Sequence, residues 1–419
     1  MSKLTSFARI WLTRSFKPFY FSNTYDSVLE YEDTDNLGLY VHIPFCRKIC
    51  TFCPYCKVVY NKDDAKLYVK ALLKEIEMVG HMRKKEKKEV TSLYFGGGTP
   101  ALLIEDIRLI VTKIKENFII TEGIGLELHP NDVTVENLKT LKASGITKIS
   151  IGIQSFQSEF LELLGRSSVE YESMFQALKE VAFETVSMDF IFALPGQTFE
   201  HIKKDIEIAF NNQANHVAIY PFIDFSFTSH TFSLMSNQDK KRLLFKIVSY
   251  CNEKGYERDS IWTFSKNGKA RYSSMTRENF LGFGCSATTL LKEQFKINTF
   301  DVNEYIERIS GKTLPTSLAI KFTLRQRMVY YLFWTFYTMK LYEGDFNKFF
   351  NKKLLKYYGL ELLIARMFGF IKKENERYSM TTKGSYYYHY FEHFYTLLYI
   401  DQMWSLMKNN AFPDELIIH

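Results

Sequence analysis

With 419 residues, 46% of them hydrophobic and 24% charged, the chain is long enough for one large catalytic domain and a smaller companion. Its net charge of +7 is spread thinly, and the densest basic run, Arg83 to Lys88, reads as a solvated loop, so no nucleic-acid partner is expected. The apolar run from Met328 to Met339 is too short to span a bilayer and reads as a buried helix, which leaves no transmembrane segment.

Residues 1–35 mix basic positions (Lys3, Arg9, Arg14, Lys17) with apolar ones (Phe7, Ile10, Trp11, Leu12, Phe16) and carry no secretory signal. They are expected to form an extension packing on a barrel rather than on a membrane. Over 36–235, strands and helices alternate. Strands are predicted at Leu39–Ile43, Val90–Phe95, Gly125–Leu128, Thr147–Ile153, Val186–Phe192 and His216–Tyr220. The intervening helices begin near Lys62, Leu103, Thr134 and Thr198; Thr134 has the spacing of a helix cap. Six β/α steps with right-handed crossovers give an α/β fold, a partial (β/α)6 TIM-like barrel. Residues 236–419 are expected to form a smaller accessory domain, mostly helical from about Pro315 and partly winged-helix-like, with a short β pair near Phe370 and Tyr378.

Four of the six cysteines fall between Cys46 and Cys56; Cys251 and Cys285 stand apart. Such crowding in a long chain points to metal or iron–sulfur chemistry in a reducing, cytoplasmic compartment rather than to a disulfide framework. Cys46, Cys50 and Cys53 follow the first strand with Cys-x3-Cys-x2-Cys spacing. Three soft thiolates so close suit a [4Fe–4S] cluster with one iron left open, or zinc if Cys56 joins as a fourth ligand. Cys56 reads more simply as a buried thiol. Phe52, between two of these cysteines, is placed over the cluster with its backbone toward an adenine.

The remaining unusual residues fall at strand ends, where barrels of this kind carry their chemistry. Gly96-Gly97-Gly98-Thr99-Pro100 lets a ligand approach the backbone closely. Glu127 and Asp189 can accept ribose hydroxyls, Gln154 ends the fourth strand, and Arg166 can pair with a carboxylate. Asp224, Ser226, His230, Tyr272, Arg277 and Glu278 are substrate-side candidates. His389 and His393 have metal-compatible spacing on a predicted helix, without a third ligand, and read as core or surface residues.

These motifs resemble the oxygen-independent coproporphyrinogen III oxidase family of radical S-adenosylmethionine proteins. That family includes the decarboxylase, a heme chaperone and related radical methyltransferases. The resemblance rests on Leu39 to Cys46, Gly96 to Pro100, Gly152-Ile153-Gln154-Ser155-Phe156, Leu164-Gly165-Arg166 and Leu194-Pro195-Gly196-Gln197-Thr198, and continues to Gly384. It implies a [4Fe–4S] cluster on Cys46, Cys50 and Cys53 and reductive cleavage of S-adenosylmethionine to a 5′-deoxyadenosyl radical. The electron would come from a flavodoxin- or ferredoxin-like donor. It also implies Tyr40 beside the cofactor; Gly97, Gly98, Thr99, Glu127, Gln154, Arg166 and Asp189 around it; and Ile223 against adenine. The small-molecule substrate implied is a tetrapyrrole or another conjugated molecule. Two departures bear on the outcome. Cys53-Pro54-Tyr55-Cys56 replaces the decarboxylase's Cys-x-Cys ending, and Arg271-Tyr272-Ser273-Ser274 replaces the chaperone's His-Asn pair. Methyl transfer, with a second S-adenosylmethionine molecule, is therefore expected ahead of oxidative decarboxylation and of heme binding.

Overall fold

The computed structural model of the chain describes residues 3–25, 27–83, 86–230, 232–266 and 278–419. Helix α1 (Lys3–Thr13) leads into strand β1 (Phe19–Ser22). The barrel follows as β2 (Leu37–Ile43), α2 (Lys62–Gly80), β3 (Leu93–Gly97), α3 (Ile104–Lys115), β4 (Ile124–Leu128), α4 (Val135–Ala143) and β5 (Lys148–Gln154). It continues through α5 (Ser158–Leu163), α6 (Tyr171–Glu180), β6 (Thr185–Phe192), α7 (Phe199–Asn211), β7 (His216–Pro221) and α8 (Asn237–Glu253). From β2 to β7 each of the five neighbouring pairs is parallel and follows chain order, as expected for strands joined by successive crossovers.

Local chemistry explains the boundaries. The Asn61 side chain accepts the N–H groups of Asp63 and Asp64 to open α2, and Thr134 accepts that of Asn137 to open α4. Thr198 and His201 form a reciprocal cap on α7. Ile107, Ile110, Val111 and Ile114 put one face of α3 into the core. Strand β2, wedged between sheet neighbours and covered by helices, is buried at six of seven positions, so it reads as a continuous apolar run.

Past α8 the sheet does not stop. Strands β8 (Glu257–Arg258) and β9 (Thr263–Ser265) extend it antiparallel beyond β7. On the other side, β10 (Asn279–Phe283) runs parallel to β2. Strands β11 (Thr288–Leu291) and β12 (Gln294–Asn298) follow, then helix α9 (Val302–Ser310) and strand β13 (Thr316–Lys321). Strand β13 pairs with β12 and β1, and β1 pairs in turn with a C-terminal strand at Glu415–Ile418. One sheet of fourteen strands thus runs from the barrel into the region after residue 236.

The stretch from Pro315, expected to be helical, begins as strand β13. Its residues are buried on both faces, so periodicity alone does not separate a six-residue strand from a helix. Helix α10 (Leu324–Tyr337) starts only after the Thr323–Gln326 capping box. It is followed by β14 (Lys340–Tyr342), α11 (Glu343–Phe350), α12 (Leu354–Met367), β15 (Ile371–Glu374) and β16 (Arg377–Met380). Helices α10, α11 and α12 and a three-stranded sheet of β14, β16 and β15 surround a second core of Met328, Tyr331, Phe346 and Leu354. Helix α13 (Thr382–Tyr395), a π-helical turn at Thr396–Ile400, helix α14 (Asp401–Asn409) and β17 (Glu415–Ile418) complete the chain. The main helix contacts of α1 are with α10 and α13, on the C-terminal half, and not with the barrel helices. Among the described residues, no helix is long and apolar enough to cross a membrane.

Candidate functional site

A cavity of about 1170 Å³ occupies the barrel. It is lined at one end where β3, β4, β5 and β7 end, by the cysteine loop and by Thr396, Ile400 and Trp404 from the C-terminal helices, and it continues to the opposite strand ends at Ser92, Glu122 and Glu278. The π-helical turn therefore faces the cavity, a placement frequent at functional sites.

The three sequence-predicted thiols, Cys46, Cys50 and Cys53, all line this cavity, and Phe52 sits with them. Burial pushes the Cys46 thiol up to about 11, with a smaller push from Cys53 and a partial offset from the Thr99 side chain. Burial also raises Cys53. Ligation of a metal would require these thiols to give up their protons, so binding there releases protons. Gly97 and Gly98 bring strand β3 against this loop. Gly97 has φ +119°, and a Cβ there would lie 2.7 Å from the His42 ring and 2.8 Å from the Ile43 carbonyl. A Cβ on Gly98 would meet the Phe45 carbonyl oxygen at 2.5 Å and the Cys46 Sγ at 3.0 Å. The N–H groups of Gly98 and Thr99 donate to Ile43 and Phe45, so the two segments are stitched together at 2.7 Å. Only glycine permits that approach.

Opposite stand two carboxylates. Glu127 accepts from the Gly97 N–H and the Tyr94 hydroxyl, both at 3.1 Å. Burial raises its pKa to about 7; the Asp189 carboxylate adds to the rise, and the two hydrogen bonds oppose it. Asp189 accepts from Ser150 at 2.6 Å and Ser187 at 3.0 Å, and burial raises it to about 6. Burial thus disfavours the charged form of both carboxylates. Arg166 donates to the Gly152 carbonyl at 2.5 Å and lies 5.8 Å from the Phe52 ring. Its Nε is buried without a hydrogen-bond partner among the described residues. Gln154 lines the same wall with φ +69°, a strained value for a non-glycine residue. Burial and the Arg166 charge lower His129 to about 4, so it is neutral.

Apart from Tyr40, the residues expected to contact a cluster or a nucleoside line the same cavity: Gly97, Gly98, Thr99, Glu127, Gln154, Arg166, Asp189 and Ile223 share it with the three thiols and Phe52. An orphaned guanidinium nitrogen, glycines where any side chain would clash, and three clustered soft donors fit a cluster and S-adenosylmethionine. The substrate-side candidates divide. Glu278 lines the cavity. Asp224 and His230 do not; they pair with each other at 2.6 Å, with His230 packed against both Phe222 and Phe232. The backbone N–H of Ser226 caps Asp401. Tyr40 stacks on Tyr94, its hydroxyl 3.1 Å from His42 Nδ1. Tyr272 and Arg277 lie outside the described residues, as do Lys84 and Lys85.

The sequence reading missed several lining residues. Arg47, Lys48 and Lys57 add cations beside the thiols. Arg47 pairs with the buried Asp132 at 2.6 Å. Trp404 stacks on Phe225 at 5.8 Å and packs against Tyr55 at 5.7 Å, making an aromatic wall from three distant segments. The basic residues sit inside the cysteine motif and were legible there; nothing in the sequence ties Trp404 to residues some 350 positions earlier. A further group of ligating atoms, on His42, Cys56 and Cys285, lies outside the cavity lining.

Comparison with known proteins agrees with this geometry. Residues 40–209 match the family described as the Radical SAM superfamily. The heme chaperone HemW of Bacillus subtilis is 30% identical over 294 residues, covering 66% of this chain and 76% of that protein. The oxygen-independent coproporphyrinogen III oxidase of Escherichia coli is 28% identical over 316 residues, 68% of each chain. The crystal structure of that organism's coproporphyrinogen III oxidase, HemN, superposes with a TM-score of 0.75 at 20% identity, over 91% of this chain and 97% of the other, and shares the fold. The chain belongs to the radical S-adenosylmethionine superfamily, within the family of heme chaperones and oxygen-independent coproporphyrinogen III oxidases.

Proposed function

We propose that this radical S-adenosylmethionine enzyme acts on a tetrapyrrole carrying propionate side chains, abstracting hydrogen as the first step of an oxidative decarboxylation. The observation that carries this reading is the cavity itself. Its 1170 Å³ exceeds what one nucleoside ligand needs. Tyr55, Phe225 and Trp404 offer flat aromatic surface for pyrrole rings, and Lys48 and Lys57 offer cations for carboxylates beside the thiols. Methyl transfer, favoured on sequence alone, gives way to this reading because the family members named above are oxidases and chaperones.

Cys46, Cys50 and Cys53 would hold a [4Fe–4S] cluster; when bound, it supplies an electron to the sulfonium of S-adenosylmethionine and so gives access to radical chemistry. Arg166 would pair its free Nε–H edge with the methionine carboxylate. Glu127 and Asp189, both on the cavity wall, would take the ribose hydroxyls. The Gly97–Gly98 backbone would approach the amino group without steric obstruction. Trp404 and the π-helical turn would restrict water at the mouth.

The relationship to the B. subtilis heme chaperone supports a second reading, stoichiometric heme binding with little turnover. Incubating the anaerobic, cluster-loaded chain with coproporphyrinogen III and S-adenosylmethionine separates the two. Mass loss corresponding to departing carboxyl groups is the expected result. Tight heme binding, with coproporphyrinogen III recovered unchanged, would establish the chaperone reading instead.

A further inference from the structure

Beside the cavity, but contributing nothing to its lining, His42, Cys56 and Cys285 converge from the end of β2, the end of the cysteine loop and the turn after β10. All three are buried, at 3%, 5% and 0% exposure. Their ligand atoms lie within 4.8 Å of one another. We propose that these three side chains form a second metal site, distinct from the cluster thiols, that takes a single zinc-like divalent ion and clamps the cysteine loop to the barrel wall.

The geometry of the two sulfurs favours a shared ion over a direct bond. Cys56 Sγ and Cys285 Sγ are 3.8 Å apart. Two metal–sulfur bonds of about 2.3 Å at a tetrahedral angle subtend about 3.8 Å, whereas a disulfide holds its sulfurs about 2.05 Å apart. The third donor is an imidazole. His42 Nε2 faces the main-chain carbonyl of Cys56 at 2.9 Å, and Nδ1 faces the Tyr40 hydroxyl at 3.1 Å. Transferring Nε2 from that carbonyl to an ion leaves Nδ1–H on Tyr40, the outer hydrogen bond that orients metal-bound histidines. Oxygen donors for a fourth position stand close by: the Phe300 carbonyl is 3.1 Å from Cys56 Sγ, and the Tyr68 hydroxyl is 3.7 Å from Cys285 Sγ.

Two thiolates and an imidazole select a borderline-soft ion and reject magnesium and calcium, which take oxygen. The surroundings are already fixed. Tyr68 donates to the His42 carbonyl at 2.8 Å and accepts the Cys285 N–H at 3.0 Å. An ion here would tie Cys56, three positions after Cys53, to β2 and β10, holding the end of the loop that carries the cluster ligands.

The test measures metals rather than turnover. The full chain, reconstituted with iron and sulfide, is analysed for zinc and iron by plasma mass spectrometry. Zinc near one per chain, in addition to the iron, is the expected result. Cys56→Ala and Cys285→Ala should each lower zinc at least tenfold, while His42→Gln should weaken its retention against a chelator. A second measurement does not depend on those variants folding. In the full chain carrying Cys46→Ala, Cys50→Ala and Cys53→Ala, added Co2+ should give tetrahedral d–d bands and thiolate charge-transfer absorption, saturating at one ion per chain. Absence of both zinc and the cobalt bands, with Cys56 and Cys285 recovered as two free thiols, would overturn the proposal in favour of simple buried thiols. Recovery of the pair as a disulfide under reducing purification would overturn it in favour of a redox bond.

Discussion

Glu75 offers a direct measure of how burial and hydrogen bonding compete behind the site. It projects from α2 and is 2% exposed. The Gly284 N–H and the Tyr305 hydroxyl both donate to its Oε2 at 2.7 Å, and the Asn298 amide donates to Oε1 at 3.1 Å. Three donors favour the ionised carboxylate. Burial outweighs them, and the pKa rises from 4.5 to about 7. With the folded value above the unfolded one, the stability carried by the neutral form is complete below about pH 4.5 and is lost as the pH climbs through about 7. The gap is worth about 3 kcal/mol, at roughly 1.4 kcal/mol per pH unit. Glu75→Gln removes this titration. Its amide nitrogen would oppose the Asn298 amide, so the variant should be less stable than the parent by about 1–3 kcal/mol at about pH 5. That difference should narrow or reverse by about pH 8, where the parent has lost its share. Urea unfolding of the iron-free chain, followed by circular dichroism across that range, reads both curves. Parallel curves for parent and variant would refute the reasoning, because they would mean that Glu75 is already ionised throughout.

Further outcomes concern the cavity. Gly98→Ala should leave the far-ultraviolet spectrum unchanged and cut cluster iron severely, because the new Cβ meets the Phe45 carbonyl at 2.5 Å and the Cys46 sulfur at 3.0 Å; iron analysis after reconstitution checks it. Arg166→Lys loses the planar fork and should weaken S-adenosylmethionine binding by roughly tenfold or more, about 1–3 kcal/mol, with iron content unaltered in the calorimetry sample. Cys46→Ala should abolish reductive cleavage of S-adenosylmethionine, whereas Cys56→Ala should retain most cluster iron, since Cys56 lies outside the cavity lining.

Features carried by short, local spacing were legible in the sequence. The Cys-x3-Cys-x2-Cys loop, the glycine run and the strand-end Glu127 and Gln154 each sit near a βα junction, Asp189 lies inside the next strand, and the junctions were readable from apolar strands and capped helices. Their convergence followed from the barrel itself, which gathers strand ends at one mouth. What escaped depended on long-range pairing. Strand β13 lacked alternation because it is covered on both faces, and the pairing of β1 with residues 415–418 crosses nearly the whole chain. The wall built by Trp404 had no local signal. Tyr40, expected beside the cofactor, stacks on Tyr94 and turns its hydroxyl to His42, next to the strand that carries the glycine run. Asp224 is held by His230 off the cavity.

The most direct test of the central claim is anaerobic. The chain is loaded with iron and sulfide, reduced, and given S-adenosylmethionine with coproporphyrinogen III, with heme, or with neither; 5′-deoxyadenosine and S-adenosylhomocysteine are then quantified by mass spectrometry. The geometry predicts 5′-deoxyadenosine that rises with coproporphyrinogen III and is lost in Cys46→Ala, without matching S-adenosylhomocysteine. A fully loaded chain that forms no 5′-deoxyadenosine under any of the three conditions would contradict it.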